Sequence, residues 1–234
     1  MFHVEHCYKA SRDVSRGTSL EKKEREILRA TVEQLGLFIT SDQMECFATY
    51  YELLLLWNKA VGLISKSDEE RVVPRHFVES LLIVPFLVPS RRGAVLDIGS
   101  GAGFPGLPVK ILLPYLQIDF LEPKRKRASF LKKVIGVLGL SMARVICARI
   151  EDMGRDPDRR SYDAIVTRAV THPSGLLHRA LPLLVRGGDF IAYVPSGLRV
   201  ESSDLPEGVV EGSVHRVGLP GFCDERSIFI ARRG

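Results

Sequence analysis

Apolar residues in the first part of the chain return every three or four positions, the repeat of a helix with one buried face. LEKKEREILRATVEQLG, starting at Leu20, is a charged, helix-favouring run that ends at Gly36, a suitable C-cap. TSDQMECFATYYELLLLWNKA follows, with Thr40 or Ser41 as N-cap and apolar positions 44, 47, 48, 51, 54 and 55 on one face. Residues 69–88 read as helical again around His76, Phe77, Leu81 and Leu82, with Pro85 and Pro89 closing the region. The first 19 residues carry no pattern and are expected to form a loose tail. A tail over 1–19 and a helical cap over 20–92 are therefore predicted.

From Ala94 the spacing changes. The β-rich runs AVLDI (94–98), QIDFLE (117–122), ARVICA (143–148), YDAIVT (162–167) and DFIAYV (189–194) alternate with helical stretches near 105–113, 124–139 and 173–185. Such alternation specifies a parallel sheet with helices on both faces. VVEGSVHRVGLP and ERSIFIARR then follow with only the turn-rich PGFCDE between them, and strands joined so closely pair antiparallel. Residues 93–234 are thus expected to form one α/β domain, a Rossmann-like, mostly parallel seven-stranded sheet that ends in an antiparallel hairpin. That ending resembles the class I methyltransferase fold rather than the dinucleotide dehydrogenase fold.

Composition narrows the setting. The chain has 234 residues, 45% hydrophobic and 26% charged, which suits a soluble globular protein with a substantial core. Its longest apolar run, LLIVPFLVP (81–89), is too short and too proline-broken to span a bilayer, so no membrane partner is expected. MFHVEHCYKASRD has no apolar stretch behind a basic start and does not read as a signal peptide. Cys7, Cys46, Cys147 and Cys223 are scattered, without a C-x-x-C pair or histidines at metal-ligand spacing, which points to a reducing cytoplasmic setting and no metal site. The net charge of +5 is unevenly spread: residues 123–150 contain eight Lys or Arg and no acid. A polyanion would suit that stretch, and so would bare solvent.

The chemistry concentrates in VLDIGSGAGFPGLP, residues 95–108, where a strand breaks into a glycine-rich turn and enters a helix. A dinucleotide fingerprint needs a third glycine where this chain has the bulky Phe104, and no Lys-Ser or Lys-Thr follows to make a phosphate-binding loop. What is present is D-x-G-x-G-x-G. Asp97, two residues before the first glycine, would repel a phosphate and tolerate a ligand with a cationic end. S-adenosylmethionine, with its amino group and sulfonium, is such a ligand. Glu122 ends the next strand, where open α/β sheets place a carboxylate on ribose hydroxyls, or where a surface acid simply sits. Ile150 and Glu151 follow the third strand, placed either to contact an adenine ring or to favour a helix dipole. Arg168 stands at the carboxyl end of the fourth strand, suited to a ligand carboxylate, a substrate phosphate or an internal ion pair.

Taken together, LDIGSGAGFPGLP, WNKA (57–60), RHFVESL (75–81), the basic run of 125–133, RIED (149–152), TRAV (167–170) and ERSIFI (225–230) resemble, in order, the landmarks of the bacterial ribosomal RNA small-subunit guanine-N7 methyltransferases. This is the RsmG family, also called glucose-inhibited division protein B. The resemblance implies an enzyme that methylates a guanine in 16S ribosomal RNA or the small ribosomal subunit; a monomer is expected. It implies donor-site residues at Gly99, Gly101 and Phe104 in the first loop, Glu122 beside the ribose, Ile150 and Glu151 beside the adenine, and Arg168 at the methionine end. Lys124, Arg125, Lys126 and Arg127 become the RNA-contact candidates. No catalytic base is assigned, since guanine N7 carries a free lone pair and no proton. Two segments depart from the family's pattern: Gly62-Leu63-Ile64 stands where Asn-Leu-Thr is expected, and Tyr193-Val194 where a Leu-Lys pair is expected. These departures keep open another RNA target, or a ribosome-binding protein with impaired turnover.

Overall fold

The computed structural model describes residues 20–87, 93–153, 161–168, 173–201, 204–219, 221 and 223–234. The expected tail over 1–19, with Cys7, lies outside the described residues, as do Ala169 and Val170 of the TRAV segment. Two long helices come first, α1 (Lys22–Gln34) and α2 (Ser41–Val61). Thr40 caps α2 reciprocally with Gln43: the Thr40 hydroxyl accepts from the Gln43 N–H at 3.2 Å and the Gln43 side chain accepts from the Thr40 N–H at 2.9 Å.

The region expected to be one helix over 69–88 is helical but broken. It runs as a 3₁₀ segment (Lys66–Arg71), a π-helical turn (Val73–Val78), α3 (Glu79–Leu81) and α4 (Val84–Leu87). Pro74 falls in the π-helical turn and brings no N–H to the ladder, so an uninterrupted α-helix cannot pass through it. Such turns recur at functional sites, and this one carries Arg75, His76 and Phe77, with Glu79 directly after it.

The sheet follows as β1 (Ala94–Ile98), β2 (Gln117–Leu121), β3 (Ala143–Ile146), β4 (Tyr162–Thr167), β5 (Leu184–Val194), β6 (Val209–Leu219) and β7 (Cys223–Arg233). Between the strands lie α5 (Gly106–Leu112), α6 (Arg125–Leu138), α7 (Ile150–Met153) and α8 (Pro173–Ala180). Strand order is β3-β2-β1-β4-β5-β7-β6. β1 to β5 pair in parallel, while β7 runs antiparallel to both β5 and β6. The chain order reverses at β1, which opens a crevice beyond its carboxyl end. The expected hairpin is present, and β5 begins five residues earlier than its most apolar part, at Leu184.

Alternation along the strands splits the core in two. Val95, Ile118, Phe120, Val166 and Ile191 face α2, α5, α6 and the broken helical region in one continuous apolar cluster. Leu96, Leu121, Ile165 and Phe190 face α7 and α8 in another. The first cluster takes in Leu28, Phe47, Tyr50 and Phe77, so the N-terminal helices and one sheet face share a single core. Among the described residues, no helix is long and apolar enough to cross a membrane.

Candidate functional site

The glycine turn leaves β1 at its carboxyl end. Gly99 adopts φ +71°, a left-handed conformation that glycine enters without steric cost. Its N–H donates to the Leu121 carbonyl at 2.8 Å, which pins the turn to the end of β2. A Cβ built on Gly99 would meet no heavy atom within 4 Å, so open space lies above bare backbone. At Gly106 the opposite holds: a Cβ would stand 2.6 Å from both Asp97 Oδ2 and Phe120 Cε1. Gly106 therefore performs the close helix-to-strand packing that a dinucleotide fingerprint assigns to its third glycine. Sequence reading looked for that glycine at position 104, two residues too early.

Two carboxylates brace the turn from beneath. Asp97 is wholly buried. Its Oδ2 accepts from the Gly106 N–H at 3.2 Å, while Oδ1 is enclosed with no partner among the described residues. Burial pushes its carboxyl up to about 7. Glu122, immediately after β2 and also buried, accepts from the Gly101 N–H at 2.9 Å and from the Lys124 N–H at 2.8 Å. It ties the glycine turn to the start of α6. Each oxygen of a carboxylate has a second lone pair, so Glu122 retains capacity for a ligand hydroxyl.

Beyond the turn lies an aromatic floor. Phe104 stacks on His76 with ring centroids 4.7 Å apart and planes 8° apart. Tyr50 stacks on Phe77 and donates its hydroxyl to the Ala102 carbonyl at 2.6 Å, so α2 holds the glycine turn directly. Burial, reinforced by the Arg168 guanidinium, lowers His76 to about 4. Its Nε2, 3.6 Å from Asp68, thus belongs to a neutral ring rather than to an ion pair. Arg168 sits with its guanidinium carbon 5.7 Å from the Phe104 ring centre. Arg168 Nη2 donates to the Arg75 carbonyl at 2.9 Å and to Glu79 Oε2 at 3.1 Å, and Nη1 is buried with no partner among the described residues.

Hydrogen bonds join Gly101 to Glu122 and pin Gly99 to the adjoining Leu121, and the cation–ring contact joins Phe104 and Arg168. The internal ion pair considered for Arg168 is present, with Glu79, and still leaves Nη1 free. Ile150 opens α7 and packs on the second apolar cluster. Glu151, beside it, is exposed and pairs with Arg179 of α8 at 2.8 Å. Lys124, Arg125 and Lys126 are exposed and, among the described residues, form no ion pair; Arg127 is half-buried and reaches the Gly62 carbonyl at 3.5 Å. The basic stretch needs one correction: Arg144 is not free for a polyanion, because buried Asp119 holds its guanidinium at 2.6 Å.

Sequence reasoning passed over Tyr50, His76 and Glu79. Tyr50 was hidden because the apolar face read from the spacing of α2 takes in Tyr51, whereas the structure buries Tyr50 and leaves Tyr51 half-buried. The departing Gly62-Leu63-Ile64 segment is held by backbone, since the Asn58 side-chain carbonyl accepts from the Leu63 and Ile64 N–H groups at 2.7 and 2.9 Å. Among the described residues no cluster of His, Cys, Asp and Glu is placed to hold a metal ion.

Three unfilled features coincide at this strand edge: open space over Gly99, a lone carboxylate oxygen on Asp97 and a lone guanidinium nitrogen on Arg168. A ligand bearing both an ammonium and a carboxylate complements them. A family model described as rRNA small subunit methyltransferase G matches residues 43–222. The Ribosomal RNA small subunit methyltransferase G of Pelotomaculum thermopropionicum is 35% identical over 215 residues, covering 89% of this chain and 90% of the relative. That of Desulfitobacterium hafniense is 42% identical over 165 residues, covering 70% and 68%. Among solved structures, a putative O-methyltransferase from Klebsiella pneumoniae superposes with a TM-score of 0.55 at 12% identity, covering 90% of this chain and 99% of that one. The fold is that of the class I S-adenosylmethionine-dependent methyltransferases. With a family match across most of its length and the glycine turn at the strand edge where that fold binds its ligand, the chain belongs to the rRNA small subunit methyltransferase G family.

Proposed function

We propose that this protein transfers a methyl group from S-adenosylmethionine to N7 of a guanine in 16S ribosomal RNA, free or within the small subunit. The observation that carries the reading is the turn at Gly99. Bare backbone borders open space there, over a buried acid with one unused oxygen, in a chain of this family.

The bound donor supplies an electrophilic methyl on a sulfonium. The chain's residues hold and orient. Arg168 Nη1 meets the donor's carboxylate and Asp97 its ammonium. The Gly99 and Gly101 backbone admits close approach, and Phe104 borders the same loop. Glu122 accepts from ribose hydroxyls, while Ile150 and Glu151 border the adenine. Glu151 would give up part of its exposed pairing with Arg179, an interaction worth at most about 1 kcal/mol.

No residue needs to remove a proton, because guanine N7 attacks with a lone pair it already has. Acceleration comes from alignment of the reacting atoms and from exclusion of water. As the methyl moves, positive charge passes from sulfur to the purine, and carboxylates or carbonyls near the base would stabilise it. Lys124, Arg125 and Lys126, exposed at the start of α6, track the RNA backbone, with Arg127 behind them.

The test is incubation of the purified protein with radiolabelled S-adenosylmethionine and unmodified small subunits, followed by mapping of the labelled nucleotide. Label on one 16S guanine at N7 is expected. Label elsewhere would overturn the target, and donor binding without label would overturn turnover.

A further inference from the structure

Glu79 is 4% exposed, yet it carries an acidic side chain into the strand edge. Its Oε2 accepts from Arg168 Nη2 at 3.1 Å and its Oε1 from Arg226 Nη2 at 2.5 Å. Its main-chain carbonyl accepts the Tyr193 hydroxyl at 2.5 Å. Arg168 follows β4, Tyr193 lies near the end of β5 and Arg226 near the start of β7. One residue of the helical region thus meets the ends of three strands where the ligand binds.

A carboxylate buried to this degree persists when paired, and two guanidiniums pair it. For Arg168 the consequence is geometric. Glu79 Oε2 and the Arg75 carbonyl both hold Nη2, which leaves Nη1 as the enclosed group without a partner. We propose that Glu79 is a positioning residue, which holds the Arg168 guanidinium so that Nη1 is presented to the carboxylate of the methyl donor. The inference rests on the reading of Arg168 as the donor's carboxylate partner.

Position and charge predict opposite effects. Glu79 is itself anionic, and at close range it disfavours a second carboxylate. If charge alone mattered, Glu79→Gln would tighten donor binding. If position matters, the amide loosens Arg168 and binding weakens.

The experiment is calorimetric titration of the full chain with S-adenosylmethionine, alongside methylation of small subunits with each substrate varied. Glu79→Gln is expected to raise the donor Kd roughly tenfold, the usual scale for losing a group that orients a ligand-binding side chain. The donor KM should rise in step, while kcat and the KM for small subunits stay near the wild-type values. In an Arg168→Ala background the same change should add less than about twofold, because the group it positions is gone. Glu79→Asp, which restores the charge with a shorter reach, should recover part of the affinity. If Glu79→Gln does not fold, Glu79→Asp carries the titration and should weaken binding severalfold. Unchanged or tighter binding in the folded variant, or a full additive loss in the Arg168→Ala background, overturns the proposal. A wild-type chain that binds no donor at all would instead overturn the reading on which it rests.

Discussion

Replacing Asp97 by Asn should make the protein more stable as the pH rises, and worse at binding the donor. Asp97 is wholly buried, and burial is the main cause that lifts its carboxyl from the ordinary 3.8 to about 7. In the unfolded chain the same acid titrates near its ordinary value. Between these two values the folded state keeps a proton that the unfolded state has released. Stability from this group is therefore fully present below about pH 4 and is lost as pH rises through 7. The loss amounts to roughly 1.4 kcal/mol per pH unit across the window, about 4 kcal/mol in all. Asn does not titrate, and its carbonyl can still accept the Gly106 N–H. Its amide nitrogen then falls where Oδ1 has no partner, a cost of about 1–3 kcal/mol that is independent of pH. The pH-dependent part stands apart from that offset. Between pH 5 and pH 8 the variant should gain roughly 3 kcal/mol on the wild type, or about 6–12 °C in the difference between melting temperatures. Thermal melts of both proteins at several pH values in that interval measure it. Parallel pH profiles would mean that Asp97 ionises in the fold as readily as in the open chain, and would refute the argument from burial.

Arg168→Ala should weaken donor binding at least tenfold by calorimetry, since it removes a buried guanidinium nitrogen that has no partner among the described residues; unchanged affinity there and in Gly99→Asp together would remove the site assignment. Gly106→Ala places a Cβ 2.6 Å from Asp97 Oδ2 and Phe120 Cε1, and should cost about 1–3 kcal/mol in urea denaturation. Replacing Lys124, Arg125 and Lys126 together by Gln should weaken binding of a 16S fragment and flatten the salt dependence by about 0.7–0.9 for each phosphate no longer neutralised, with donor affinity unchanged. An unaltered salt slope would make those cations a solvated face.

How far the sequence carries the reader depends on the kind of interaction. Strand limits such as 94–98 and 162–167 are legible because each run alternates between two buried faces and stops at turn residues. The glycine turn is legible because backbone conformation leaves its mark on residue type. Interactions that cross the fold leave no local mark. Nothing in the spacing of Tyr50 shows that it will hold Ala102, and Glu79 reads only as one acid in a helical stretch until β4, β5 and β7 converge on it. Arg144 shows the same limit in reverse. It reads as one of eight free cations until Asp119, 25 residues earlier, is found beside it on the neighbouring strand.

β7 is the last strand in chain order, yet it lies between β5 and β6 rather than at an edge. Its Ile228 belongs to the same apolar cluster as Leu28 and Phe47 of the first two helices. During synthesis, those helices, over 22–34 and 41–61, emerge well before the strand at 223–233 that completes their core. Docking of β7 onto β5 must therefore wait until the helices and the other six strands have been made, and pairing across such a separation slows folding. A chain stopped short of β7 would leave β5 and β6 without the partner that joins them, and two bare edges open to aggregation.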